Sequence, residues 1–275
     1  MDKQPINPQK AYNNTEFLNS RSARYIRFLC EYEETQQRFL EHGVKNSIVM
    51  FGSARTLTPE MAKTQLEEAE AALSSSPEDG LLQAELLAAQ GRVTMSGYYT
   101  ATRTLARRLT EWNLGRPEGQ PEFIITSGGG PGIMEAANRG AHDAGGRSMG
   151  LGISLPFEQG VNGYVTPELA FEFHYFFTRK YWFLYVCEAL IVCPGGFGTM
   201  DELFETLTLV QTGKIDKKLP IVLFGKEYWD SVFNVDAMVK FGTISPKDVD
   251  LFLTTDSIDE AFEYVTSGLM SAVKT

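Results

Sequence analysis

The sequence predicts an α/β fold in which a mostly parallel sheet carries helices on both faces. Short apolar runs, such as residues 47–51, 189–193 and 221–224, alternate with longer segments of helical periodicity. Strands that are apolar throughout are typical of parallel sheets buried on both sides. Strands that alternate with helices indicate right-handed crossover connections in one sheet.

The N-terminal segment is predicted to be a mobile tail followed by a helix. Residues 1–15 are rich in proline, asparagine and lysine, as expected for a mobile terminus. Residues 20–42 carry an apolar stripe at helical spacing, and Gly43 ends this helix. The first buried strand follows at 47–51 and leads into Gly52-Ser53.

Residues 58–95 interrupt the alternation and are interpreted as an inserted helical hairpin. Thr58 suits an N-cap and Pro59 suits the first helical position. A turn-forming run at 74–80 separates two segments rich in Ala, Leu, Glu and Gln. The hairpin carries no cluster of potential catalytic residues, and the delayed crossover helix is expected over 101–112.

The alternation resumes after the insertion and continues to the C-terminus. Further strands are predicted at 123–126, 149–155, 189–193, 221–224 and 249–253. Further helices are predicted after the glycine loop at 127–132, ending near residue 143, and over 176–188. Others are predicted to begin at residue 200, to follow the strand at 221–224 and to cover 257–272. The segment 176–188 is apolar nearly all round, so we expect a buried helix. Residues 16–275 are therefore predicted to form a single Rossmann-like domain.

The composition narrows the possible classes of function. Among 275 residues, 35 acidic and 25 basic side chains give a net charge of -10, which argues against general binding to nucleic acid or acidic membranes. No apolar run reaches the roughly 18 residues of a membrane helix, and the polar N-terminus lacks a signal-peptide core. A cytoplasmic protein is therefore expected. The three cysteines and three histidines show no metal-ligand spacing, so no metal site is predicted. Nothing in the sequence requires an organic cofactor.

Two glycine-rich loops indicate a ligand site. Residues 127–132 (SGGGPG) and 194–198 (PGGFG) each follow a predicted buried strand and open a helix. Parallel sheets bind ligands at the carboxyl ends of their strands, and a helix N-terminus there offers N–H groups to a phosphate. On adjacent strands the loops would form a phosphate-sized cradle. The alternative is that the glycines only form tight turns, which is less convincing for two loops in the same context.

The loops do not fit the best-known nucleotide motifs. Neither is a GxGxxG sequence followed by an acidic residue about 20 positions on, and neither is GxxxxGK[ST]. Interpretations as a dinucleotide oxidoreductase or a P-loop ATPase therefore lose their main support.

Residues 194–202 read PGGFGTMDE, and Thr178-Arg179-Lys180 lies upstream of them. These residues resemble the PGGxGTxxE motif and the Arg-Lys pair of the Lonely Guy (LOG) family of nucleoside 5′-monophosphate phosphoribohydrolases. Residues 127–138 match the family's other glycine loop, and Gly52-Ser53 matches its first loop. The chain departs from the family at Phe176-Phe177, where Met-His is frequent, and in its hairpin and N-terminal helix. These departures concern the choice of substrate more than the chemistry.

The resemblance implies hydrolysis of an N-glycosidic bond, with AMP as the default substrate and free base and ribose 5-phosphate as products. It implies Arg179 as a clamp for phosphate or ribose oxygens. It implies Glu202 as the carboxylate that stabilises positive charge on the ribose and activates water. It also implies a homodimer or larger assembly. Substrate contacts are implied for Gly195, Gly196, Gly198, Thr199, Asp201, Lys180, Gly128, Gly129, Gly130, Met134, Glu135, Ser53 and Glu158.

Several of these residues also have a purely structural interpretation. Thr199-x-x-Glu202 fits a capping box, with Thr199 as N-cap and Glu202 reaching back to the cap N–H. Arg179 and Lys180 fit the polar edge of a helix, Met134 fits a core, and Glu158 fits a solvated loop. Some relatives carry a lysine decarboxylase label, but the sequence places no lysine in a setting suited to a Schiff base. A nucleotide-binding or regulatory protein that does not hydrolyse is the alternative function, although a binder of anions needs no carboxylate such as Glu202.

Overall fold

The computed structural model describes residues 4–156 and 160–272, and in this part of the chain seven strands form one parallel sheet. The strands are β1 (Ser47–Phe51), β2 (Ile124–Ser127), β3 (Ser148–Ile153), β4 (Ala170–Phe173), β5 (Cys187–Val192), β6 (Ile221–Phe224) and β7 (Leu253–Thr255). Their order across the sheet is β4-β3-β2-β1-β5-β6-β7. In the register of the central strands, Ile48 of β1 lies opposite Ile125 of β2 and Ala189 of β5. The predicted α/β fold with a parallel sheet is confirmed.

The described α-helices connect and cover these strands. They are α1 (Thr15–Asn19), α2 (Arg24–Glu41), α3 (Pro59–Ser75), α4 (Gly80–Leu114), α5 (Ile133–Asp143), α6 (Phe176–Tyr185), α7 (Phe197–Gln211), α8 (Lys226–Val232), α9 (Val235–Lys240) and α10 (Ile258–Ala272). Short 3-10 helices occur at Ala11–Asn13, Arg21–Ala23, Pro167–Leu169 and Pro246–Leu251. None of the described helices is long and apolar enough to cross a membrane.

Alternate residues of each strand build two cores, one on each face of the sheet. On β1, Val49 and Phe51 pack with side chains of α2, α6, α7 and α8, including Trp182. Ile48 and Met50 point to the opposite face and pack with α4, α5 and α10. Burial on both faces explains why the central strands are apolar without interruption.

Helix α2 supports α6, which carries the Arg-Lys pair. The Phe39 ring of α2 meets Trp182 of α6 edge to face at 5.2 Å between centroids. A polar contact fixes the start of α6, because the Thr178 hydroxyl donates to the Glu31 carboxylate at 2.6 Å. The N-terminal helix therefore holds the helix that reaches the site.

Helix α4 differs from the prediction because it runs unbroken for 35 residues. The second helix of the predicted hairpin and the crossover helix expected over 101–112 are one element. Gly91 and Gly97 lie inside it without interrupting it, since a glycine weakens a helix by only about 1 kcal/mol. Helix α3 packs against this long helix.

The structure contains one strand that was not predicted, and it corrects the position of another strand and the burial of one helix. Strand β4 was not predicted, because it is a four-residue edge strand in which buried residues alternate with exposed Glu172. The last strand lies at β7 rather than 249–253, because Asp248 and Ser245 form a capping box that starts a 3-10 helix there. Helix α6 is not buried all round, since Phe176, Phe177, Tyr181 and Tyr185 are 54%, 57%, 41% and 57% exposed.

Candidate active site

The candidate site lies where the order of strands changes direction. The chain proceeds from β1 outward through β2 to β4 on one side and from β5 to β7 on the other. An open parallel sheet has a crevice at such a switch point, beyond the carboxyl ends of its strands. The two glycine loops follow β2 and β5, which are separated by β1. The two loops therefore do not lie on adjacent strands, which is the arrangement considered from the sequence.

The loop after β1 joins the two glycine loops through Ser53. Its backbone N–H donates to the Pro194 carbonyl at 3.0 Å, and its carbonyl accepts from the Ile133 N–H at 3.1 Å. The Ser53 hydroxyl accepts from the Arg55 N–H at 3.1 Å and so folds its own turn. A side chain at Gly132, which has φ +70°, would overlap the Ser53 carbonyl. Ser53 thus holds both loops in place through its backbone.

A buried polar network shapes the loop after β2. The Ser127 hydroxyl contacts Asn138 at 2.7 Å and accepts from the Gly129 N–H at 3.0 Å. The Asn162 amide donates to the carbonyls of Gly129 and Gly130 at 3.0 and 3.1 Å. It also donates to Asn138 at 2.9 Å. Gly129 has φ +73°, which favours glycine, so this loop is fixed in one conformation.

Neither asparagine of this network was recognised from the sequence as a site residue. Asn138 ends the matched stretch 127–138, so its position in the motif was the available signal. Asn162 lies in an irregular segment after β3, and no local pattern marks it.

Helix α7 starts three residues earlier than predicted, and this removes the capping-box interpretation. Its N-cap is Gly196, whose carbonyl accepts from the Met200 N–H at 3.0 Å. Thr199 is then inside the first turn, and its side chain fills the space beside Gly195, where any Cβ would overlap it. Glu202 lies beyond the first turn and cannot reach back as an N3 residue would.

Glu202 is a buried carboxylate with a strongly altered acidity. Glu202 is buried, with only 6% of the residue exposed. Burial raises its pKa from 4.5 to about 7, while the positive charges of Arg179 and Lys180 act in the opposite direction. Buried carboxylates with such a pKa are common in active sites because they exchange protons near neutral pH.

Arg179 extends from α6 to the carboxyl ends of β2 and β3. Its Nε donates to the Leu151 carbonyl at 2.7 Å, and its guanidinium lies 5.1 Å from the centroid of the Phe183 ring. A Cβ on Gly128 would be 2.6 Å from its Nη2 and 2.6 Å from the Met134 Sδ. The structure therefore brings Arg179, the glycine loop after β2 and Met134 together.

Lys180 points to α7 rather than to the glycine loops. Its Nζ lies 2.9 Å from Asp201 Oδ1 and 2.8 Å from Glu205 Oε2. Lys180 and Asp201, both predicted as substrate contacts, are thus bound to each other. Glu205 was not identified from the sequence, and its spacing of four residues from Asp201 on one helix was the available signal.

The other candidate residues differ in exposure and in the groups that they contact. Gly195 accepts from the Tyr228 hydroxyl at 2.6 Å through its carbonyl. Gly196 and Gly198 are exposed at the start of α7. The Glu135 carboxylate accepts from the Tyr99 hydroxyl at 2.6 Å, so it is turned towards α4. Glu158 lies outside the described residues.

A cavity of about 540 Å³ lies away from this site, between the start of α3 and helices α4 and α5. Arg103 and Arg107 on its wall are held by Asp143 at 2.5 Å and Glu111 at 2.7 Å. We place the candidate site at the strand ends rather than here, because the glycine loops and the buried carboxylate are at the strand ends. Within residues 4–156 and 160–272, no group of three His, Cys, Asp or Glu side chains is placed to hold a metal ion.

The chain is similar to proteins of known family. A family model described as "Possible lysine decarboxylase" matches residues 134–265. The "Probable cytokinin riboside 5'-monophosphate phosphoribohydrolase LOG6" of Arabidopsis thaliana is 28% identical over 146 residues, which are 52% of this chain and 72% of the relative. The "Cytokinin riboside 5'-monophosphate phosphoribohydrolase LOG3" of the same plant is 27% identical over 169 residues, 60% of this chain and 73% of the relative.

Among solved structures, the Moco carrier protein from Chlamydomonas reinhardtii is 18% identical and has a TM-score of 0.44, covering 82% of this chain and 99% of that chain. The range that the family model matches contains residues 194–202 and the second part of the stretch 127–138. The chain is thus similar in sequence to the LOG phosphoribohydrolases.

Proposed function

We propose that this protein hydrolyses the N-glycosidic bond of a nucleoside 5′-monophosphate, with AMP as the default substrate. The supporting observation is that Arg179 and Glu202, from two different helices, interact electrostatically beside the glycine loops at the switch point of the sheet. The names of the curated relatives describe phosphoribohydrolases of cytokinin riboside 5′-monophosphates, which supports this class of reaction.

The start of α7 is the proposed binding site for the 5′-phosphate. The N–H groups of residues 197–199 precede the first helical hydrogen bond, which Gly196 accepts. Such N–H groups, together with the positive end of the helix dipole, favour an anion. Gly196 and Gly198 are exposed, so that a phosphate can approach their backbone closely.

Arg179 is proposed to bind the phosphate or a ribose oxygen. The bond from its Nε to Leu151 fixes the guanidinium plane, and its Nη2 is directed to the loop at Gly128. A fixed guanidinium offers parallel N–H donors to an oxyanion, which a flexible lysine does not. Met134, beside the same loop, is proposed to line the pocket for the base.

Glu202 is proposed to act on the anomeric carbon. As the C1′–N bond lengthens, positive charge develops on the ribose, and an adjacent carboxylate stabilises it. The same carboxylate accepts a proton from the attacking water, whose oxygen forms the new bond to C1′. The base leaves with the electron pair of the broken bond and takes up one proton. The products are free base and ribose 5-phosphate.

The experiment is incubation of the protein with AMP, GMP, CMP, UMP and IMP, followed by chromatographic detection of free base and ribose 5-phosphate. Adenosine, which lacks the phosphate, is the control. We expect base release from at least one monophosphate, at least ~100-fold faster than from adenosine, since the phosphate contributes binding energy to the reaction. Thermal stabilisation by nucleotides without release of any base would contradict hydrolysis and identify a nucleotide-binding protein.

A further inference from the structure

Lys180 occupies a position between two acidic side chains of α7. Its ammonium lies 2.9 Å from Asp201 and 2.8 Å from Glu205, and its side chain is 17% exposed. Asp201 and Glu205 are four residues apart, so they lie on one face of the helix. Glu202 lies between them in sequence and is buried. The ammonium group of Lys180 therefore lies beside a helix segment that carries three carboxylates.

The charges around Glu202 come from two helices. Helix α6 contributes Arg179 and Lys180, and helix α7 contributes Asp201 and Glu205. The two cations lower the pKa of Glu202, and the two acids raise it. From α8, Tyr228 faces the neighbouring loop, and its hydroxyl donates to Gly195. Lys180 acts on Glu202 both directly and by neutralising the two acids that oppose its ionisation.

We propose that Lys180 is a positioning residue for Glu202: by binding Asp201 and Glu205 it fixes α7 against α6 and favours the charged form of the Glu202 carboxylate. This inference rests on the proposed function, in which the charged form of Glu202 is the active one. It differs from the role that the sequence implied for Lys180, which was contact with the substrate. The geometry supports the new role because the ammonium is already bound by two carboxylates, which a phosphate would have to displace.

The pH profile separates the two roles. Lys180→Met removes the cation and leaves Asp201 and Glu205 unneutralised, so the acid limb of kcat/KM moves to higher pH. We expect the acid limb to shift by about one pH unit. Below its midpoint, kcat/KM then falls by up to ~10-fold, and at pH 9 it nearly recovers the parental value. Lys180→Arg retains the positive charge and should retain the position of the limb.

The opposite shift provides a second, independent test. Glu205→Gln removes an acid that raises the pKa of Glu202. The charge of Lys180 is then balanced by fewer carboxylates. Its acid limb should move to lower pH. This variant keeps the inference testable if Lys180→Met does not fold. A variant pair in which both limbs stay at the parental position would overturn the inference.

KM distinguishes positioning from substrate binding. Under the positioning role, KM for the monophosphate changes by less than about threefold at pH 9, whereas loss of a charged ligand contact raises it by ~10-fold or more. A large rise in KM with an unmoved limb would show that Lys180 binds the phosphate.

Failure of this inference and failure of the proposed function are distinguishable by a titration without substrate. The carboxyl carbon of Glu202, assigned by comparison with Glu202→Gln, is followed by 13C NMR against pH in the parent and in Lys180→Met. A higher midpoint in Lys180→Met supports the inference even if the parent releases no base. An equal midpoint contradicts it even if the parent hydrolyses AMP.

Discussion

Arg179 lies in the space that a side chain at residue 128 would occupy. A Cβ on Gly128 would be 2.6 Å from the Arg179 Nη2, closer than real Cβ atoms approach, so the guanidinium would have to shift. Gly128 has no positive φ, so the closeness of the guanidinium, rather than the backbone conformation, is what favours glycine there. The glycine loop and the arginine are therefore two parts of one arrangement.

Gly128→Ala tests this relationship. The new methyl group displaces the guanidinium and the Met134 thioether, so we expect the affinity for AMP to fall by at least ~10-fold while overpacking costs about 1–3 kcal/mol in unfolding free energy. Calorimetric titration and denaturant unfolding measure the two quantities. Gly163→Ala is the control, because a Cβ there meets no atom within 4 Å. Equal affinity of Gly128→Ala and parent would disprove the relationship.

Asn162→Ala is expected to loosen the loop after β2. It removes the side-chain donor that holds the carbonyls of Gly129 and Gly130 and the Asn138 amide oxygen. Loss of a buried donor from satisfied acceptors costs about 1–3 kcal/mol. We expect a lower midpoint of denaturant unfolding and a higher KM. Unchanged stability and KM would show that this network does not support the site.

Glu202 makes stability depend on pH in the direction opposite to a salt-bridged acid. Its folded pKa is about 7 and its ordinary value is 4.5, so the native state holds a proton that the unfolded state releases between these values. The stability of the parent therefore falls as the pH rises from 4.5 to 7, by an amount on the order of 3 kcal/mol from this one group. Replacement by glutamine removes this fall.

The comparison of Glu202→Gln with the parent at pH 5 and pH 8 measures this effect. The variant should gain stability relative to the parent at the higher pH, by about 1–3 kcal/mol in denaturant unfolding. Glu33→Gln, which alters an exposed carboxylate on α2, is the control. A stability difference between Glu202→Gln and parent that stays constant from pH 5 to pH 8 would contradict the altered acidity of Glu202.

The exposed aromatic side chains of α6 lead us to expect a homodimer or larger assembly. Phe176, Phe177 and Tyr185 are each more than half exposed, beside the helix turn that carries Arg179. Exposed aromatic side chains on one helix are a feature of many protein interfaces. Light scattering should give at least twice the 30.7 kDa of one chain. Phe177→Glu should lower this mass, whereas Leu81→Glu, at an exposed site on α4, should not. A parent that is monomeric at high concentration would refute the expectation.

The sequence predicted the parts of the fold that local patterns encode. The buried strands and the glycine-rich loops were predicted because apolar runs and glycine spacing mark them directly, whereas Arg179 and Glu202 were named only through the resemblance of their motifs to a known family. The order of strands was not predictable in this way, so the separation of the two loops by β1 emerged from the structure. An edge strand such as β4 has too short an alternation to be recognised.

Other differences arise where one pattern fits two structures. The spacing of Thr199 and Glu202 fits a capping box, but the glycines before it let α7 begin earlier, at Phe197. The apolar segment of α6 fits a buried helix and also an exposed interface. Asn162 becomes important only through contacts with residues about 30 positions away, which no local pattern contains.

The variant Glu202→Gln shows whether Glu202 supplies a negative charge to the reaction. Glutamine has the same shape but carries no charge. We expect release of base from AMP to fall by at least ~100-fold, the lower range for loss of one acid–base group, while AMP still binds within a few-fold of the parental affinity in calorimetric titration. Turnover of AMP by Glu202→Gln at a rate within a few-fold of the parent would show that the reaction does not need the charge of Glu202.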